Sequence, residues 1–339
     1  MPKRCAVCGF PLGTRPGLME KDGVCGACIN AETKKSIDFR ARQDWLTGYI
    51  QANKTNDTYD CVVAVSGGKD SHAIVKLLYE NHGVKNALLV SVTDEFTHTQ
   101  AGQHNINNLV TRYNCDHITF RCQPQTFKAE TLKDFTNELH PLKWVEEKIY
   151  NIPVEIARNY GIKLVFFGEN SAFEYGTSDL LNAVQTTGAE FNEYEGNYDE
   201  VEIIYMGAIY PYSITDSLEQ ARSIGFKDLD DFNEWPREGS IEQYTQIDSI
   251  AYIIQLYTKL PKYGFQRVSD IASRFVREGK LTRDEAIKLM EEKDHICDPM
   301  AKKDFCDTIG IDSDYFDCMV DSHANLDVVE RVNGVWKAK

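Results

Sequence analysis

The sequence predicts an α/β protein in three parts: a small cysteine-built module, a parallel sheet with crossover helices, and a mostly helical C-terminal region. Three observations carry that reading. Four cysteines fall within the first 28 residues, short apolar runs alternate with helical segments from Cys61 to Phe167, and beyond about Gly207 the apolar residues recur at helical spacing. With 339 residues the chain exceeds the length at which one hydrophobic core stops growing, so more than one unit is expected. The boundaries read as residues 1–33, 34–206 and 207–339.

Cys5-x-x-Cys8 and Cys25-x-x-Cys28, sixteen residues apart, have the spacing of two knuckles closing a tetrahedral thiolate site. About thirty residues cannot hold themselves together by core burial, so bound metal must supply most of the folding energy. Structural zinc is the first reading; an iron–sulfur cluster or a redox pair fits the same spacing. With all four positions filled by protein, zinc keeps no open position for catalysis, which leaves docking or stability as its role. Cys61, Cys115, Cys122, Cys297, Cys306 and Cys318 are scattered and read mainly as small buried hydrophobes.

Residues 34–59 are polar and partly helical, with Phe39, Trp45, Leu46 and Tyr49 available to dock. The runs at residues 61–65, 87–92, 117–120 and 163–167 are short and β-branched, as strands buried on both faces are. Between the first two, Ala73, Ile74, Leu77 and Leu78 fall at helical spacing and Gly83 is a stop signal. Strand alternating with helix implies parallel strands. In the last third, Ile247, Ile250, Ala251, Ile254 and Tyr257 share one helical face, and Thr282 with Glu285 forms a capping box.

The first strand ends in Ser66-Gly67-Gly68-Lys69-Asp70-Ser71, which opens a helix. At such a junction backbone N–H groups and the positive end of the helix dipole face one space, a ready anion site. Two glycines let phosphate oxygens approach, two serines add hydroxyls, and Lys69 adds a point charge. No glycine stands five positions before a Gly-Lys-Ser/Thr, so this is not a Walker A loop. Beside a phosphate the Asp70 carboxylate calls for a divalent cation, and Mg²⁺ suits it. An ordinary strand-to-helix turn also carries Ser-Gly-Gly; the full hexapeptide in this setting resembles the Ser-Gly-Gly-x-Asp-Ser signature of the ATP pyrophosphatase (PP-loop) superfamily, whose fold is adenine nucleotide alpha hydrolase-like. The resemblance implies that ATP is held by its β and γ phosphates while a substrate oxygen attacks the α-phosphorus. It also places Ala64, Val65, Val92 and Thr93 beside the adenosine, and Gly168, Asn170 and Glu174 in the same crevice as Lys69. Strand-end crevices are where open α/β sheets bind ligands.

In the last third, Glu242-Gln243-Tyr244-x-Gln246-Ile247-Asp248-Ser249, Lys262-Tyr263-Gly264-Phe265-x-Arg267-x-x-Asp270-x-Ala272-Ser273-Arg274 and the stretch around Thr282 resemble the N-acetyl sugar amidotransferase family of surface-polysaccharide and flagellin-glycan pathways. With the cysteine knuckles and the PP-loop, the resemblance covers most of the chain. It implies conversion of an acetamido group on a sugar or nucleotide-sugar into an acetamidino group through an O-adenylated intermediate. Lys69, Asp70, Asn170 and Glu174 would carry the chemistry, and Arg267, Asp270 and Arg274, at positions i, i+3 and i+7 of a helix, would meet an anionic substrate. The common alternative for those three is a solvent-facing ion-pair stripe. No glutaminase signature is present, so ammonia is expected from a separate glutaminase subunit. A thiolase acting on tRNA is the rival within the superfamily, and an ATP- or AMP-sensing scaffold is the non-enzymatic one.

The net charge of −15 disfavours a nucleic-acid partner, which calls for a concentrated basic surface. No apolar run approaches the ~18 residues of a spanning helix or a signal segment, so a cytoplasmic enzyme without a membrane partner is expected. The sequence leaves a homo-oligomer open.

Overall fold

A computed structural model describes residues 3–168, 185–186, 200–211 and 213–339, the pair 185–186 as backbone only. The N-terminal module is a hairpin, β1 (Glu20–Lys21) with β2 (Val24–Cys25), running into helix α1 (Gly26–Lys34). Helix α2 (Phe39–Ala52) follows, capped by the Asp38 carboxylate, which accepts from Ala41 N–H at 2.9 Å.

The sheet is built from β3 (Cys61–Ala64), α3 (Lys69–Asn81), β4 (Ala87–Thr93), α4 (Gln100–Tyr113), β5 (Asp116–Arg121), α5 (Pro124–Glu138), α6 (Lys143–Asn159), β6 (Leu164–Phe167), β7 (Gln185–Thr186) and β8 (Glu202–Tyr205). Strand order is β5-β4-β3-β6-β8-β7, the first five parallel and β7 antiparallel at the edge. The period-two pleat splits the side chains. Val63, Leu89, Phe166 and Ile204 pack under α2, α3 and α4, whereas Val62, Leu88, Val90, Val165 and Ile203 pack under α6. The predicted α/β class is therefore what forms, with one difference: β5 is not buried on both faces. It is an edge strand, and Phe120 on it is 36% exposed.

Chain direction makes β3 the switch point, since β4 and β5 lie to one side and β6 and β8 to the other. The turn at residues 66–71 leaves β3 at that place.

Beyond the sheet come α7 (Met206–Ile209), α8 (Ile214–Ser223), α9 (Ile254–Tyr257), α10 (Lys259–Tyr263), α11 (Arg267–Arg277), α12 (Arg283–Lys293), α13 (Pro299–Ile309) and α14 (Ser313–Ser322), then the hairpin β9 (Val329–Val332) and β10 (Val335–Ala338). The capping box at Thr282 and Glu285 opens α12 as predicted. Residues 247–257 depart from the single helix their period implies. Ile250 N–H donates to Thr97 O and Thr99 N–H to Asp248 O, at 2.9 and 3.1 Å, so this backbone is spent on the loop after β4; only Ala251–Ile253 and α9 coil. Ile247, Ala251 and Ile254 still reach the core, joining Phe127 and Phe135 of α5, Phe305 of α13 and Phe316 of α14.

The cysteine module is seated on this C-terminal region. Phe10 meets Phe265 edge-on with ring centres 4.7 Å apart, Arg283 Nε donates to Cys5 O at 3.1 Å, and Gly9 lies against Ile287.

Candidate functional site

The turn after β3 is braced from within. Ser66 N–H donates to Ser71 Oγ at 3.0 Å and Gly68 N–H to Ser66 Oγ at 3.3 Å, leaving each hydroxyl proton available to donate. Gly67 has φ +84°, and a Cβ there would meet Ile106 at 3.0 Å and Gly102 O at 3.3 Å, so both conformation and space exclude a side chain. Helix α3 then begins at Lys69, whose first-turn N–H groups have no intrahelical acceptor by the geometry of any α-helix. Lys69 is buried, and its Nζ lies 2.6 and 2.7 Å from the two Asp70 oxygens. Gly168, at the end of β6, stands over this turn: a Cβ on it would be 3.7 Å from the Asp70 Cβ.

His72 holds the turn from behind. Its Nδ1–H donates to Gly68 O at 3.1 Å, and Nε2 accepts from Asn108 Nδ2 at 3.2 Å, which fixes the tautomer. Burial lowers its pKa to about 4, so the ring is neutral at pH 7. The unfolded chain takes up this proton near pH 6.5, before the folded one, so stability is lost as pH falls from about 6.5 towards 4. In His72→Asn, which keeps a donor and cannot titrate, that acid loss should shrink; melting temperature against pH, compared with the parent, checks it.

Facing the turn across the strand ends is a cleft of about 860 Å³. Ala64, Val65, Ser66, Gly68, Lys69, Asp70, Ser71, Val92, Thr93 and Gly168 line one side, so all but one of the described residues assigned to the nucleotide share a single surface; Gly67 sits beneath it against α4. Asn170 and Glu174 lie outside the described residues. The opposite wall comes from the C-terminal region: Tyr244, Thr245, Gln246, Asp248, Lys259, Lys262, Arg267 and Arg274, with Arg15 from the cysteine module. Thus Arg267 and Arg274 do face the strand-end cleft, and α11 is no solvent-facing stripe, since Asp270 and Arg274 are buried. Asp270 is turned instead towards a smaller pocket under the cysteine module, with its Oδ2 3.7 Å from Lys259 Nζ.

Lys259 and Lys262 are the cations that periodicity alone passed over, although a lysine three residues from another within Leu256-Tyr257-Thr258-Lys259-Leu260-Pro261-Lys262 is a signal of a sort. Burial pushes the Lys262 pKa down to about 8, and it lowers that of Lys259 too, against the pull of Asp270. A chain of net charge −15 thus gathers five basic side chains on one wall. That wall suits an anion.

A buried ion pair shapes the same wall. Arg237 Nη2 lies 2.9 Å from Glu242 Oε1, and Glu242 also accepts from Tyr244 N–H and Thr245 N–H at 2.9 and 2.8 Å. Glu242 therefore works through the loop, holding Tyr244, Thr245 and Gln246 in the cleft. Two acids also line the cleft, Asp94 directly after β4 and Asp248 on the opposite wall. Burial raises the pKa of both, and the charge of Asp94 adds to the effect on Asp248, which reaches about 7.

The four N-terminal cysteines are brought together as their spacing predicted. Their sulfurs lie within 4.8 Å of one another, with Cys5 to Cys28 at 3.9 Å and Cys8 to Cys25 at 3.7 Å. Zinc–sulfur bonds of ~2.3 Å in a tetrahedron put the sulfurs ~3.8 Å apart, so a single ion fits this set of buried thiols. Of the remaining cysteines Cys318 is exposed, while Cys61, Cys115, Cys122 and Cys306 are buried.

Residues 238–338 match the family model described as LPS biosynthesis protein WbpG-like, C-terminal domain. This is the region whose residues resemble the polysaccharide enzymes. No curated protein matches the chain. Among solved structures, the NH3-dependent NAD synthetase of Campylobacter jejuni subsp. jejuni NCTC 11168, in complex with the nitrate ion, is similar at 15% identity over 42% of this chain, with a TM-score of 0.32; the chain spans 62% of that protein's length. The NMN synthetase of Francisella tularensis is 12% identical over 72% of this chain and 94% of its own, with a TM-score of 0.39. The U34-tRNA thiolase NcsA of Methanococcus maripaludis, with its 4Fe-4S cluster, is 13% identical over 91% and 96%, with a TM-score of 0.37.

Proposed function

We propose, on the premise of a WbpG-like C-terminal domain, that this chain is an ATP-dependent amidotransferase of lipopolysaccharide or related surface-glycan biosynthesis, converting an N-acetyl group on a sugar or nucleotide-sugar into an acetamidino group. The observation that carries the proposal is the shared cleft: one wall is the Ser66–Gly67–Gly68–Lys69–Asp70–Ser71 turn and its neighbouring strand ends, the other is contributed by residues of the matched domain.

An amide oxygen is a poor leaving group, so ammonia alone does not displace it. Attack of that oxygen on the α-phosphorus of ATP gives an O-adenylated imidate and releases pyrophosphate, after which ammonia expels AMP. Lys69 and the first-turn N–H groups of α3 would stabilise charge developing on pyrophosphate. Asp70, the carboxylate in the first turn of α3, would hold Mg²⁺, which screens the phosphates. Ala64, Val65, Val92, Thr93 and Gly168 would border the adenosine, and Asn170 and Glu174 keep their assignment to the crevice. Arg267 and Arg274, joined now by Lys259 and Lys262, would receive an anionic group of the sugar or its nucleotide carrier. Asp270 would orient Lys259. The four N-terminal cysteines would hold structural zinc, and a separate glutaminase would supply ammonia.

The thiolase reading asks for reactive thiols at the sheet. Cys61, Cys115 and Cys122 are buried, and burial pushes all three thiol pKa values up, the opposite of an activated sulfur.

The test is mass spectrometry of the enzyme incubated with ATP, Mg²⁺, ammonium and a panel of acetamido sugars and their nucleotide conjugates. Replacement of the amide oxygen by NH is expected, and isotopically heavy oxygen placed in the acetyl carbonyl should end in AMP. Sugar-independent ATP hydrolysis, or sulfur transfer to tRNA, would refute the proposal.

A further inference from the structure

We infer that Asp248 is the general base of the amination step, the group that removes a proton from the attacking ammonia; this rests on the amidotransferase reading above. Asp248 lines the cleft, yet its Oδ1 is closed off from solvent and has no hydrogen-bond partner among the described residues. Buried carboxylate oxygens are ordinarily satisfied, so an unsatisfied one on a carboxylate that lines a ligand cleft marks an acid whose proton-accepting capacity the fold does not use up. The neighbouring Asp94 is in the opposite condition. Its Oδ2 accepts from Ser249 Oγ at 2.6 Å and its Oδ1 from Phe96 N–H at 3.0 Å. One acid of the pair is thus committed to structure and the other is not.

The fold places Asp248 beside the phosphate-type turn and holds it there. Thr99 N–H donates to Asp248 O at 3.1 Å, and His98 bridges to Ser249. A Cβ on Gly102 would lie 2.9 Å from the Asp248 Cα and 3.0 Å from its carbonyl oxygen, so only glycine lets this segment seat on α4. Gly67 of the turn rests on the same Gly102, its own Cβ position being 3.3 Å from Gly102 O. The turn, the start of α4 and Asp248 are consecutive layers of one packed unit. The charged group that acts on the acid is Asp94, and Asp94 in turn feels His98, 4.0 Å away, and Asp304 of α13, which accepts from Thr97 and Ala251 N–H. Burial, with Asp94 alongside, lifts the Asp248 carboxyl to about 7, where a base works at neutral pH.

The step balances as follows. The ammonia lone pair forms the C–N bond to the imidate carbon, and Asp248 takes one N–H proton. The C–O bond to AMP then breaks, its electron pair leaving on the AMP oxygen, and an amidinium remains.

Asp248→Asn is nearly isosteric and cannot accept the proton. Sugar-dependent ATP–pyrophosphate exchange should stay within ~2-fold of the parent, while amination by ammonia falls ~10²–10⁴-fold. Hydroxylamine, whose adduct gives up its proton to water more readily, should restore most of the loss. An exchange rate that falls along with amination, an equal loss with both nucleophiles, or amination at the parent rate would each overturn the assignment. If the Asn protein does not fold, Asp248→Ser should give the same split. A parent enzyme without sugar-dependent exchange would refute the amidotransferase reading itself, and the base assignment with it.

Discussion

Replacing Lys69 by alanine is expected to lower the rate of ATP–pyrophosphate exchange by ~10²–10³-fold, the usual cost of removing one preorganised donor from a developing charge. Lys69 is at the first position of α3, so its ammonium and the positive end of the helix act on the same small volume. The side chain is almost wholly buried, only 3% exposed, and water does not replace it well. The loss should fall mainly on kcat, with a smaller change in KM for ATP, because charge on pyrophosphate grows only as the bond to the α-phosphorus breaks. Removing the lysine also leaves the Asp70 carboxylate without the ammonium 2.6 Å away, and that by itself would destabilise the turn. Lys69→Ala/Asp70→Asn separates the effects: the double variant should recover melting temperature but not exchange. If Lys69→Ala turns over as fast as the parent, the turn is an ordinary strand-to-helix connection.

Much of this arrangement is legible in the sequence because it is local. The strand runs, the turn, the helix after it and the capping box at Thr282 each follow from a few adjacent residues, and each forms where its pattern lies. The cysteine knuckles are local twice over, two short loops that need only meet. What the sequence conceals is long-range. Nothing in Asp248 announces an acid pressed against Gly102, nor does the period of residues 247–257 disclose that their backbone is claimed by residues 97–99, some 150 positions earlier. Likewise the charge balance of −15 is an average over the surface. It hides a wall where α10 and α11 turn four cations inward. Helical spacing puts Arg267 and Arg274 near one face, but for such residues a solvent-facing ion-pair stripe is the commoner fate, and it is the tertiary packing that turns them into the cleft.

Removal of the metal from the cysteine site is expected to unfold residues 3–34 while the sheet survives. The module's own apolar contacts are few: Phe10, Leu12 and Ala27 around the four cysteines, with Leu18 and Val24 partly buried. Such a core is far below what a free-standing unit requires, whereas a structural zinc contributes ~10–16 kcal/mol of binding free energy at pH 7 in small zinc modules. Losing it would put several thiols into one buried space with no cation to bind them. The sheet has its own two packed faces and owes the module nothing, so far-ultraviolet circular dichroism should change little. Function should suffer nonetheless, because Arg15 sits on the cleft wall and Phe10 props Phe265 just before α11 begins. Cys28→Ser, or chelation under mild denaturant, should therefore open the first 34 residues to protease and weaken binding of anionic sugars. Metal analysis of the parent should find one zinc per chain in a colourless protein. A brown protein, with broad visible absorption, would mean iron–sulfur instead, and four sulfurs within 4.8 Å would then have to move apart to admit it. Stripped protein that stays as protease-resistant as the parent would show that the module stands on its contacts with α11 and α12 alone.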